Sequence, residues 1–195
     1  DAFAHVMEQY LTESIGAREV LAGGLGEGRG AEAAALLLQA ADGAQRLRNN
    51  ERTDELTLSA ASQLGKAGKP DDAERALRAV LARHPGEARY VDLLADQLLR
   101  RSKQTEMLAL YRDQLAGVAK LPLPERRRKD LAQELRRRLV ERYRSAGQAR
   151  DAVELWLTAI NRSPDNRQEV EDLYEYARLA GLGKRVHDHF ARAAK

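Results

Sequence analysis

Two stretches of this chain, GKAGKPDDAERALRAVLARHP (65–85) and RSAGQARDAVELWLTAINRSP (144–164), align without a gap. Gly68 falls on Gly147, Ala73 on Ala152, Leu77 on Trp156 and Pro85 on Pro164. An internal period constrains a fold more than any single motif, because each copy must bury its apolar face against the next. A small residue followed four positions later by a large one, with a proline eight beyond, describes a helix that ends at a marked turn. The small residue admits a neighbouring helix and the large one fills the groove beside it.

The period extends in both directions. Thirty-four residues beyond Ala73 stands Met107, with Tyr111 in the place of Leu77 and Ala95 in the place of Ala61. The same step from Ala152 reaches Val186, with Phe190 for Trp156, Tyr174 for Val140 and Gly181 for Gly147. Four copies therefore cover about 54–195. Met107 and Ala152 are 45 residues apart, an excess of 11 that falls around LPLPERRRKD (121–130) and reads as an insertion between copies.

Helix signals match the period. Pro70, Asp71 and Asp72 open a helix where a missing N–H and negative charge are favourable, and Ser163, Pro164 and Asp165 repeat the pattern. Gly68, Gly147 and Gly181 mark turns, and no stretch alternates β-branched or aromatic residues with polar ones over five positions. The expectation is an all-α chain of about ten helices. The first fifty residues fit the period poorly. Phe3, Val6, Met7, Tyr10 and Leu11 make a helical stripe, GGLGEGRG (23–30) a flexible turn, and 31–48 a second helix. They predict a diverged hairpin, residues 1–50, that covers the open first face of the array in 51–195.

These spacings resemble the tetratricopeptide repeat family, whose 34-residue helix–turn–helix unit carries a small residue, Gly, an aromatic and a terminal Pro. The match is good in the first and third copies. In the other two, Met107 and Val186 replace the small residue and Ser102 the turn glycine, while the family's Trp position holds Thr57, Val91, Arg136 and Val170. The resemblance implies a right-handed α-solenoid of stacked hairpins whose first helices line a concave groove. It places in that groove Glu55, Leu58, Ser62 and Lys66, then Arg89, Asp92, Asp96, Leu99 and Arg100. The later copies add Glu134, Arg137, Glu141 and Arg144, and Gln168, Glu171, Glu175 and Arg178. The Lys/Asn pattern of chaperone-tail receptors is absent, its places being held by Leu58 and Ser62 or Asp92 and Asp96. Trp156, beside Ala152, is expected to be buried between adjacent hairpins.

The remaining motifs are weak. Zero cysteines exclude disulfides, thiolate-ligated zinc and thiol catalysis. Gly26, Gly28 and Ala31 match a dinucleotide spacing, but a helical pattern precedes them where a strand is required. His187 and His189 flank Asp188, yet i and i+2 side chains of a helix point about 200° apart and cannot converge on one ion. No nucleophile stands beside a base in a recognisable pattern. These readings predict no enzyme, cofactor or metal. No apolar run approaches the roughly 18 residues of a membrane span, and no basic-then-apolar leader is present. The chain begins at Asp1 without Met. A cytoplasmic location is favoured, or a periplasmic one if a leader was removed.

Charge is nearly balanced overall, at +3, but unevenly distributed. Residues 124–145 carry nine basic residues against Glu125, Asp130, Glu134 and Glu141, a net +5. Leu131, Leu135, Leu139 and Tyr143 form one apolar stripe, which leaves the basic residues on the flanks and outer face. Arg126, Arg127, Arg128 and Arg137 are candidates for an anion or an acidic partner. The competing reading is a solvated helix whose Arg side chains pack and pair within the fold, and it is the one expected. Twenty-six of 33 basic residues are Arg, which in an Ala- and Leu-rich chain reads as coding composition rather than selection for phosphate binding. The expected function is a non-catalytic scaffold or adaptor holding a peptide or helix of a protein partner. The groove candidates are Arg89, Asp92, Asp96, Arg100, Arg137, Glu141, Arg144, Glu171, Glu175 and Arg178. The alternative is a nucleic-acid or acidic-partner module acting through the Arg-rich helix.

Overall fold

The computed structural model describes residues 2–26, 28–160 and 167–193, and 84% of them are helical. Ten helices and no strand occur among the described residues: α1 (Ala2–Gly24), α2 (Gly30–Arg46), α3 (Asn50–Lys66), α4 (Pro70–Arg83), α5 (Ala88–Arg100), α6 (Gln104–Val118), α7 (Glu125–Ser145), α8 (Ala149–Ile160), α9 (Arg167–Leu179) and α10 (Gly183–Ala193). Neighbouring helices pack on one another from α1 to α4 and from α6 to α10, in the all-α architecture that the 34-residue period predicts. Ser163, Pro164 and Asp165 lie outside the described residues.

One chain reversal recurs. After α2, α3, α5, α7 and α9 the chain turns in three residues, and the second of the three has positive φ: Arg48 (56°), Gly68 (69°), Ser102 (57°), Gly147 (70°) and Gly181 (72°). A left-handed residue just past a helix lets the next N–H reach back to an orphan carbonyl. The reach is seen from Lys69 to Leu64 (2.9 Å), Gln148 to Tyr143 (2.9 Å) and Leu182 to Ala177 (2.7 Å). Ser102 adopts the conformation although it lacks glycine's freedom, so the repeat imposes its turn where the residue does not favour it.

The chain forms two compact units. Unit 1 comprises Asp1–His84 and Asp92–Arg101; unit 2 comprises Pro85–Val91 and Ser102–Lys195. In unit 1, small residues set the helix spacing. Ala33, Ala34, Ala40, Ala41 and Ala44 of α2 are buried and cluster with Leu56, Ala60 and Leu64 of α3. Ile15 of α1 sits against Gly43, where an added Cβ would stand 3.0 Å from Ile15 Cγ1. Asp54, 4% exposed, ties α3 to the end of α4 by accepting from Arg83 Nε at 2.8 Å and by pairing with His84.

The stripe on α1 is helical, but it does not pack. Phe3, Val6, Met7 and Tyr10 are exposed, because α1 docks on α2 through Ile15 and Ala22, which lie on another face of the helix. Their replacement by serine, one at a time, is expected to change unfolding free energy by no more than about 0.5 kcal/mol. A larger drop in urea midpoint would show that the stripe is covered in solution.

In unit 2 the 11-residue excess is divided between a connection and a helix. It is absorbed as a turn at 119–124 and as extra turns at the front of α7, whose 21 residues exceed every other helix of the repeat region. Val153, Leu157 and Ile160 of α8 pack with Leu173 and Ala177 of α9 and Val186 of α10. Trp156 departs from expectation. It is half-buried at the edge of this cluster, its ring 6.2 Å from that of Tyr176, because the α8 face that carries it continues into an open groove.

Candidate functional site

The groove lies wholly within unit 2. It has a volume of about 1650 Å³ and is lined by α6, α7, α8 and α9. Its apolar lining includes Leu115 and Ala116 of α6, Ala132 and Val140 of α7, Leu155 and Ala159 of α8, and Tyr176 and Leu179 of α9. Leu179 is 72% exposed.

Charge divides by element. The α6–α7 side contributes Arg112, Arg128, Lys129, Arg136, Arg137 and Arg144 with only Glu125 and Glu141. The α8–α9 side contributes Asp151, Glu154, Glu169, Asp172 and Glu175, with no basic residue. This division follows from the helix wheel of α7. Leu131, Leu135, Leu139 and Tyr143 turn inward, and 129, 132, 133, 136, 137, 140 and 144 form an adjacent face three to four residues apart.

Much of the basic charge is tethered in place. Glu134 accepts from Arg137 at 2.8 and 3.1 Å and from Arg138 at 2.8 Å. Lys129 pairs with Glu125 at 2.7 Å, and Arg144 with Glu141 at 2.9 Å. The Arg144 guanidinium also lies 4.7 Å from the Tyr176 ring centroid, joining α7 to α9 across a cation–π contact. Arg128 donates to the Ala119 carbonyl at 3.3 Å. On the acidic side Glu154 pairs with Arg185, whose hydrogen bond holds its carboxyl below the usual carboxylate range.

The Arg137 and Arg138 hydrogen bonds hold the Glu134 carboxyl down to about 2. A carboxyl depressed on folding stabilises the native state above its unfolded value and loses that effect as pH falls towards the folded one. Because Glu134 is partly solvated, Glu134→Gln is expected to cost less than about 1 kcal/mol at neutral pH. The gap between wild type and variant should close between about pH 4.5 and 2 in parallel urea titrations. A gap that stays constant with pH would rule out the ion pairs as its cause.

The positions implied by the repeat resemblance separate into two groups. Arg137, Glu141, Arg144, Gln168 and Glu175 line the groove, whereas Glu171 and Arg178 of α9 are exposed outside it. Arg89, Asp92, Asp96 and Arg100 stand on α5 and do not line it. Arg89 belongs to unit 2, with its guanidinium 4.3 Å from the Tyr90 ring centroid, and the other three belong to unit 1. The anion-site candidates also disperse: Arg126 is exposed, Arg127 pairs with Glu87, and only Arg128 and Arg137 reach the groove. Arg112, Leu115, Arg136, Asp151 and Leu155 also line the groove, although the repeat frame did not place them there. The first two and last two belong to second helices of hairpins, which the repeat frame assigns to the outer surface. No group of three or more His, Asp or Glu residues suited to a metal occurs among the described residues, and none of their helices is long and apolar enough to cross a membrane.

No family model and no curated protein matches the chain. Among solved structures it is similar to a crystal structure of the MamA protein, at 13% identity over 96% of this chain and 90% of that one, with a TM-score of 0.45. It is similar also to a Podosopora anserina putative kinesin light chain with nearly identical TPR-like repeats. That match has 16% identity, 94% and 93% coverage, and a TM-score of 0.46.

Proposed function

We propose that the chain is a protein-binding scaffold and that the unit 2 groove holds a segment of a protein partner. The groove itself carries this reading: about 1650 Å³ of continuous space with apolar side chains between charged flanks. Small-molecule sites typically enclose about 300–1000 Å³ and converge a few polar groups on one point. Here the charged groups are spread along four helices, an arrangement that contacts an elongated ligand at many places. The internal pairing of Arg127, Lys129, Arg137, Arg138 and Arg144 supports this reading over a phosphate-binding helix, since these cations already have carboxylate partners.

The test selects displayed peptides of about 18 residues, five helical turns, on the full chain. Binding is then measured by fluorescence anisotropy to variants that fill the groove. Thr158 and Gln133 are exposed lining residues, so Thr158→Trp and Gln133→Trp should leave the core intact. Each is expected to weaken selected peptides at least about tenfold, the loss of a central contact. Peptides bound equally well by wild type and both variants would overturn the proposal.

A further inference from the structure

The charge division of the groove restricts its occupant. Arg112 on one side, and Asp151 and Glu175 on the other, make no ion pair among the described residues, although each borders the groove. An elongated ligand that covers the apolar residues between them brings complementary groups to both sides at once. An amphipathic helix presents an apolar stripe flanked by two polar edges, the same division into apolar, basic and acidic residues that the groove lining shows.

We infer that the groove takes a charge-segregated amphipathic helix of a partner protein, with acidic residues along the edge facing α6–α7, basic residues along the edge facing α8–α9, and an apolar stripe between. This rests on the groove being the binding site. The helix dipole and the apolar stripe are common to many sequences, whereas the two charged edges are not. Exposed ion pairs contribute little singly, but an occupant with the wrong charge on both edges sets like charges against each other along its whole length. Segregation also orients the ligand, because reversing its direction exchanges the two edges.

Three helical peptides of about 18 residues with one leucine stripe provide the test. In the first, Glu lines one edge and Lys the other; in the second the same residues are mixed on both edges; the third carries Lys on both. Binding to the full chain is followed by anisotropy over a salt series. The first peptide is expected to bind about tenfold more tightly than the second, a preference that salt screens. Arg112→Glu with Arg136→Glu, which leaves four basic and four acidic residues lining the α6–α7 side, should weaken that preference and remove the disadvantage of the third peptide, and circular dichroism of the variant verifies that helix content is retained. Equal binding of the first and second peptides at low salt would overturn the charge rule while leaving the groove reading intact. Binding that Thr158→Trp does not weaken would overturn both.

Discussion

Tyr111→Ala is expected to lower the unfolding free energy by about 3–5 kcal/mol, the range for emptying a fully buried aromatic site. Tyr111 has no exposed surface and stands at the repeat position held by Leu77, Trp156 and Phe190 in the other copies. Its hydroxyl accepts from Arg142 Nε at 3.4 Å, and the guanidinium lies 5.9 Å from the ring centroid. Alanine removes the packing that holds α6 against α7 and leaves Arg142 without this contact. Tyr111→Phe keeps the ring and should cost about 1 kcal/mol or less. Urea unfolding separates the two: a large midpoint shift for alanine, a small one for phenylalanine, with unchanged slopes. Equal effects would mean that the hydroxyl, and not the ring, holds the site.

Gly86→Ala is the second large effect, at about 2–5 kcal/mol from two independent causes. The residue has φ 81°, a left-handed conformation that costs an L side chain about 1–2 kcal/mol. Its added Cβ would also stand 2.8 Å from Val118 Cγ2, a contact that a side chain 2% exposed has little room to relieve. Gly86 N–H donates to Gln114 Oε1 at 2.9 Å, so the backbone is tied in place as well. Gly147→Ala is the control. It has φ 70° but nothing within 4 Å of the added carbon, and should show only the conformational cost. A Gly86 variant no less stable than the Gly147 variant would show that Val118 moves aside freely.

Both residues illustrate what could be read in advance. Tyr111 was reached by counting 34 residues from Leu77, and its burial follows from that register. Gly86 falls at no repeated position, and its constraint comes from Val118, 32 residues further on. The turn at Ser102 lies between these cases: the register locates it, but only the backbone shows that serine takes up glycine's conformation. Trp156 shows the opposite failure. Its position in the repeat predicts full burial, yet where α8 borders the groove one side of the ring remains uncovered.

The period, the small-to-large spacing and the turn residues specify helices, their order and the hairpins they form, because these depend on contacts three or four residues apart or one repeat away. They also mark residues 124–145 as unusually basic. Which of those arginines pair within the fold is decided by carboxylates on the same helix and on neighbouring segments, such as Glu134 for Arg137 and Glu87 for Arg127. The groove itself arises from four helices, two of which the repeat frame assigns to the outside. Its composition depends on how far the 11-residue excess lengthens α7 and on which face of α8 is left uncovered. Periodicity locates a residue on its own helix, but a concave surface is set by the distances between helices, and those come from packing.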